Sequence, residues 1–304
     1  MGELRAPRLE EAAVLAAALN EHSRTLVGTA DVSAELIEGW FGIPSLDPER
    51  DMRVVALADG TIAGYADLGG GDEGEPLWLD LRLLPGHGDA GPALLAAMEA
   101  RAAERGWPGM PLRAVALAVD EPAHALFDAN GYRVIRSSFA MEIDVGRAPA
   151  QPAWPGGLRP RVFVPGEDDE RVYEAQMDAF ADHWEFHRTA YAEWSHWAFS
   201  PPFDPSLWFL VEDGDEVAAV CLCSPRRGDE PGLGWVNVLG VRAPWRRRGL
   251  ATALLLHAFH ELRGRGCERV GLGVDAENVT GAVALYEGVG MRQVRRSEIY
   301  EKAT

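Results

Sequence analysis

The alternation of apolar and polar positions is most informative between Trp235 and Glu287. Trp235 to Val241 is rich in apolar and β-branched residues and is closed by Ala243-Pro244, which predicts a short buried strand. Beyond the break, Ala251, Leu254, Leu255, Ala258, Phe259 and Leu262 recur at intervals that give a helix one apolar face. A second strand is expected from Arg269 to Val274, and Val283, Tyr286 and Val289 then share a face of a further helix.

A similar pattern is legible earlier in the chain. Val54 to Gly64 and Phe209 to Ala219 both read as hairpins, turning at Asp59-Gly60 and at Asp213-Gly214. Further on, Trp78 matches Trp235, Pro85 matches Pro244, Leu94-Leu95 matches Leu254-Leu255, and the stretch from Gly131 matches the stretch from Gly290. Order and near-constant offset mark a diverged duplication. Between the copies, 148–160 is rich in Pro and Gly and follows neither period. Its first ten residues, 148–157, are the expected linker between domains 1–147 and 158–304.

The second half opens with a strand-like Leu158 to Pro165 and a helix from about Asp169 through Phe180. Asp182 to Phe199 follows, and ten of its eighteen residues are Trp, Tyr, Phe, His or Arg. That density suits a pocket wall as well as a small aromatic core.

Composition narrows the function classes. In 304 residues, 47% hydrophobic and 25% charged content is that of a globular protein, and the longest apolar runs, such as Ala12 to Leu19, fall short of a membrane span. The acidic residues Glu3, Glu10 and Glu11, and the lack of a small-residue cleavage site before Asn20, speak against a secretory signal. Cys221, Cys223 and Cys267 are too few for a disulfide framework, so a cytoplasmic location with reduced thiols is expected. A net charge of −18 disfavours nucleic acid and anionic lipid. Against it, the cluster Arg246-Arg247-Arg248 reads as a local anion site.

That cluster leads into Gly249-Leu250-Ala251-Thr252 at the predicted helix start. Small residues there let a polyanion reach unpaired backbone N–H groups, and the helix dipole and arginines favour it. Two other patterns carry less. His183 and His187 have the i, i+4 spacing of metal ligands on a helix, yet Trp184 stands where the zinc protease pattern needs Glu, so no metal is expected. Gly271-x-Gly273-x-x-Ala276 matches a dinucleotide fingerprint but falls inside a strand.

The Arg-x-x-Gly-x-Ala of Arg246 to Ala251, after a strand ending Leu239-Gly240-Val241, resembles the acetyl-CoA-binding motif of the Gcn5-related N-acetyltransferases (GNAT superfamily). Val274 to Met291, containing Asn278 and Tyr286, resembles the family's later strand and helix. The duplication resembles that of tandem members.

The resemblance implies an α/β fold of two domains, each a mixed, mostly antiparallel sheet flanked by helices, with acetyl-CoA as co-substrate. It implies transfer of acetyl to a small-molecule primary amine, a cysteinyl amine among the candidates, by a monomer or homodimer. Leu239, Gly240, Val241, Arg246, Arg247, Arg248, Gly249, Leu250, Ala251, Thr252 and Asn278 are then expected at the cofactor, and Tyr286 as the acid that protonates the departing thiolate. Asp182, His183, Trp184 and Glu185 are expected toward the acceptor, with Asp182, Glu185 or Glu193 as base. The first copy has Gly86, Asp89 and Gly91 in place of Arg246, Gly249 and Ala251, and Phe127 in place of Tyr286, so it is expected to be degenerate. A phenyl ring donates no proton. The alternative is a non-catalytic acyl-CoA-binding regulatory protein, which would bind CoA without releasing thiol.

Overall fold

The computed structural model describes residues 2–70, 75–106, 109–147, 149–278 and 280–303. Ala148, the first residue of the expected linker, and Val279, within the later motif, lie outside them. Two compact units are present: Met1–Ser138 with Arg295–Thr304, and Phe139–Val294.

In the first unit the strands are β1 (Glu3–Arg5), β2 (Met52–Ala56), β3 (Ile62–Gly70), β4 (Leu77–Leu83) and β5 (Leu112–Leu117), paired in that order. All neighbours run antiparallel except β4 and β5, which are parallel. Helices α1 (Ala12–Val27), α2 (Ala34–Trp40) and α3 (Pro48–Asp51) precede or join the early strands, and α4 (Gly91–Arg105) and α5 (Glu121–Ala129) follow β4 and β5. Leu94, Leu95 and Met98 of α4 pack with Leu79, Leu81 and Leu83 in one core, and Leu15 and Leu19 of α1 pack with Val54 and Tyr65 in another.

After α5 comes β6 (Arg133–Asp144), and the second unit adds β7 (Pro160–Val162), β8 (Trp208–Asp213), β9 (Glu216–Ser224), β10 (Leu233–Val241), β11 (Arg269–Asp275) and β12 (Arg292–Lys302). β7 through β10 are antiparallel neighbours, and β10 and β11 are parallel. The helices are α6 (Asp169–Phe180), α7 (Tyr191–Ala198), α8 (Leu250–Gly264) and α9 (Ala282–Gly288). α8 buries Leu254, Leu255, Ala258, Phe259 and Leu262 against β9 and β11, the face its period predicts.

Both Asp-Gly turns form, with Gly60 at φ 87° and Gly214 at φ 64°, a region open to glycine at no steric cost. Gly131 and Gly290 repeat this after α5 and α9, at φ 84° and 95°. The N–H of Tyr132 donates to the Phe127 carbonyl and that of Met291 to the Tyr286 carbonyl, so the two helix ends match residue for residue.

The units part elsewhere than at 148–157. From Arg295 on, the chain belongs with the first unit, where Ser297 to Lys302 of β12 pair antiparallel with Leu117 to Leu112 of β5. The second half of β6 belongs with the second unit, where Val145 N–H donates to the Glu268 carbonyl at 2.8 Å and Arg269 pairs with Glu142 at 3.0 Å. Trp154 and Leu158 pack on the second unit's core, so residues 149–157 are part of that unit. Pro and Gly mark irregular backbone, and a strand's local pattern does not specify which sheet it joins.

Candidate active site

The site forms where β10 leaves β11. The two strands pair from Leu233↔Arg269 to Val236↔Leu272, and β10 then continues to Val241 on its β9 side. At that point Asn237 is extra: the register with β9 passes from Val236↔Cys223 directly to Val238↔Leu222. Such a bulge bends a strand and disrupts its ladder. Gly240 lets the end of α6 approach the bent strand, since a Cβ there would lie 2.9 Å from Ala179 Cβ.

Two recesses meet at this splay. The larger, about 500 Å³, runs from Leu239, Gly240 and Val241 past Arg246, Arg247 and Gly249 to Ala251 and Thr252, with 280–286 opposite. The smaller, about 200 Å³, lies between Val236 to Leu239 and Leu272 to Asp275, with Asn278 at its edge. His183, Leu239, Thr280, Ala282 and Tyr286 line both.

The loop of the larger recess is held from below. Trp245 is buried and its Nε1 donates to Asp213 Oδ2 at 2.8 Å. Arg246 does not point its charge freely into the recess. Its Nη1 donates to Asp182 Oδ2 at 2.5 Å, its Nε to the Val241 carbonyl at 3.0 Å, and its Nη2 to the Ala179 carbonyl at 3.0 Å. Arg246 therefore ties the loop to the end of α6, and the expectation that Asp182 is an available base meets a carboxylate already engaged. Arg247, at φ 61°, and Arg248 are exposed, and Arg247 lines the recess.

Gly249, at φ 88°, is the N-cap of α8 and offers no side chain to the helix. The Ala253 N–H donates to the Gly249 carbonyl at 3.0 Å, so the N–H groups of Leu250, Ala251 and Thr252 have no intrahelical acceptor. Ala251 and Thr252 line the recess at the helix's positive end, a ready anion site. Leu250 itself is buried in the core beneath and lines neither recess.

Across the recess, burial and the nearby Cys221 thiol push the Tyr286 phenol up to about 12, so it keeps its proton near neutrality. Asn278 Oδ1 accepts the Thr280 N–H at 2.8 Å and also the Thr280 hydroxyl, shaping the turn before α9. His183 is half-buried, with its ring against that of Phe180, 4.4 Å between centroids. Burial first, and the Arg246 cation second, lower its pKa, while Asp275 and Asp182 oppose them.

The chain around His183 departs from the sequence reading. α6 ends at Phe180, and 181–190 is irregular, with Glu185 at φ 44°. His183 and His187 therefore do not share a helical face, and the i, i+4 argument lapses. Trp184, Glu185 and Glu193 line neither recess. Trp194 and Phe199 instead pack with Trp208 and Phe163, a small aromatic core. Asp275, Thr280, Gly281 and Ala282 line the recesses although sequence reasoning did not single them out; the polar Asn237 inside an apolar strand was the one local signal of the bulge.

The family model of the acetyltransferase (GNAT) family matches residues 170–291, within the second unit. The mycothiol acetyltransferase of Kineococcus radiotolerans is 37% identical over 245 residues, covering 78% of this chain and 77% of the relative. That of Thermomonospora curvata is 31% identical over 301 residues, 97% and 94% of the two chains. A GCN5-related N-acetyltransferase structure from Sphaerobacter thermophilus superposes with a TM-score of 0.78 at 30% identity, covering 99% of this chain and 95% of that one. A tandem GNAT protein from the clavulanic acid biosynthesis pathway shares the fold, with a TM-score of 0.75 at 17% identity and coverage of 100% and 98%. With a full-length structural match and relatives that span both units, the chain belongs to the acetyltransferase (GNAT) family, as an acetyl-CoA-dependent acetyltransferase of tandem architecture.

Proposed function

We propose that the second unit transfers acetyl from acetyl-CoA to the primary amine of a small molecule, by direct attack of the amine on the thioester. The observation that carries this reading is one recess bounded by the uncapped N-terminus of α8 at one end and by the Tyr286 phenol at the other. The pyrophosphate of the donor suits the backbone N–H groups of Leu250 to Thr252, with Gly249 giving close approach and Arg247 and Arg248 adding charge. Asn278 lines the smaller recess beside it.

In the same reading, the backbone of Leu239 to Val241, freed from β11 by the bulge, holds the donor arm and polarises the thioester carbonyl. The amine forms the C–N bond, the C–S bond breaks, and Tyr286 gives its proton to the leaving thiolate. The relatives' name supports an acceptor of the mycothiol kind, hence a cysteinyl amine.

The test is incubation of the protein with acetyl-CoA and a panel of primary amines that includes S-methyl-L-cysteinamide, whose capped sulfur leaves CoA as the sole source of thiol. N-acetylated product by mass and an equal release of thiol are expected. CoA binding without release of thiol across the panel would instead support the regulatory reading.

A further inference from the structure

We propose that the imidazole of His183 is the base that takes the proton from the acceptor ammonium, directly or across one water. The proposal rests on the acetyl-transfer reading above. It replaces the carboxylate expected from sequence, because Asp182 is committed to Arg246 and neither Glu185 nor Glu193 lines a recess.

Geometry singles out His183. Among the described residues, His183 and Tyr286 are the titratable side chains that line both recesses, and they meet where the donor arm and an incoming amine would converge. The segment that presents His183 is anchored: its N–H donates to the Phe180 carbonyl at 2.8 Å, and its ring rests on the Phe180 ring. Asp275 is the other candidate acceptor in the smaller recess, but its Oδ1 accepts the Glu277 N–H at 3.0 Å and its carbonyl the Asn278 N–H, which commits it to the turn after β11. Its negative charge still serves the site by attracting an ammonium toward His183.

The surroundings keep the lone pair available. Facing the imidazole are Arg246 from the loop before α8, Asp275 from the end of β11, Asp182 from its own segment and the neutral phenol of Tyr286 from α9. Burial and Arg246 prevail over the two carboxylates, so the ring is neutral at pH 7.

The protons balance. The ammonium gives one proton to His183, and the free amine attacks the carbonyl carbon. As the C–S bond breaks, Tyr286 protonates the sulfur, and the second proton shed by nitrogen restores the phenol through water. His183 returns its proton to solvent, so the products are amide, thiol and one released proton.

The test is the pH profile of kcat with acetyl-CoA and S-methyl-L-cysteinamide, for the wild type and for His183→Gln. Wild-type kcat should fall tenfold per pH unit below a midpoint under the ordinary histidine value of about 6.5. His183→Gln should lower kcat about 10²–10³-fold, abolish that acid limb and leave the acetyl-CoA dissociation constant within about threefold. Retention of kcat within threefold, or an unchanged acid limb in the variant, overturns the proposal. If the variant loses acetyl-CoA affinity through disturbed packing, the wild type decides the matter with benzylamine as a second acceptor. A limb fixed across the two amines supports His183, and one that moves with amine basicity overturns it. Absence of N-acetylated product from the wild type with every amine would sink the acetyl-transfer reading itself, a distinct outcome.

Discussion

The two units of this chain are built on the same strand order, and both recesses described above lie in the second. The paired strands locate the difference. In the first unit Trp78 to Leu83 pair one for one with Gly69 to Gly64. In the second, Trp235 to Val241 cover the corresponding partners, Ser224 to Ala219, with Asn237 left over. One inserted residue thus separates a straight strand from a bent one. After it, Gly240 stands where the first unit has Arg82, whose guanidinium is bound by Asp80 and Asp31.

The helices that follow differ as sharply. α8 begins with uncapped N–H groups, whereas in the first unit the N–H groups of Ala90 and Gly91 donate to the carbonyls of His87 and Gly88, and the next residue, Pro92, has no N–H at all. A Cβ on Gly91 would lie 3.0 Å from Leu126 and 3.1 Å from Leu83, so leucines already crowd that helix start. Phe127, fully buried against Tyr132 and Tyr300, takes the place of Tyr286. The comparison teaches that scaffold and site are separable here: the core pattern survives in both copies, while a few local changes in one strand and one helix start distinguish the bare cradle from the filled one.

The largest effect that would sharpen this contrast is expected at Tyr286. Tyr286→Phe gives the second unit the first unit's residue while keeping the ring in place. With its pKa near 12, the phenol is an acid across the working range, and positioned acid catalysis contributes about 10²–10⁴-fold. Turnover should fall by that factor, with the Michaelis constant for acetyl-CoA within a few-fold of wild type. Near-full turnover with an acceptor for which chemistry is limiting would reduce Tyr286 to packing.

Next in size is deletion of Asn237, which should give β10 the straight register of β4. Alternation toward the two faces is compatible with this, because the partners on either side of Asn237, Cys223 and Leu222, are consecutive. The protein should fold, but the backbone of Leu239 to Val241 would no longer turn toward the recess. Misplacement of a reacting group by about 1 Å costs on the order of 10²-fold in rate. Wild-type turnover in a folded deletion variant would show that the bulge is incidental.

The fold was legible in the sequence wherever local period and turn chemistry decide the outcome. The Asp-Gly hairpins, the apolar face of α8 and the glycine after Tyr286-Glu287-Gly288-Val289 all follow from residue type. The repeat was visible too, but its matched pairs could not say where an extra residue fell: Asn237 is a weak strand former between two valines, yet composition alone does not say that it is left out of the pairing. The reciprocal membership of β6 and β12 was hidden for a similar reason, since the choice of sheet is made by long-range contacts. At the site, the basic and glycine-containing composition of the loop before α8 was readable, whereas the commitment of Arg246 to Asp182 depends on where 181–190 turns after α6. That irregular segment also removed the helical geometry assumed for His183 and His187.

A smaller effect is expected at the cradle. Gly249 sits at φ 88° with nothing within 4 Å of an added Cβ, so space is open and the constraint is backbone conformation and charge. Gly249→Asp reproduces the carboxylate that the first unit carries at Asp89. If the proposed pyrophosphate contact holds, the change exchanges a charge-assisted contact of roughly 1.5–3 kcal/mol for repulsion, so the dissociation constant of CoA should rise about 10–100-fold by calorimetry. Unchanged affinity would remove the pyrophosphate from the start of α8.

The smallest effect is expected from the reverse exchange. Asp89→Gly removes the like charge from the first unit, and if that charge alone silenced the copy, a second CoA site should appear. The structure argues otherwise. The first helical N–H groups of this copy remain bonded to His87 and Gly88, Pro92 still contributes no donor, and Leu83 and Leu126 still crowd Gly91. No bulge frees the backbone of β4, whose register with β3 is unbroken. Calorimetric titration with CoA should therefore give one site in Asp89→Gly as in the wild type, with turnover within about twofold, as for most surface substitutions. A second binding event of comparable affinity would mean that the sign of one charge, and not the inserted residue and the bare helix start, separates the two copies.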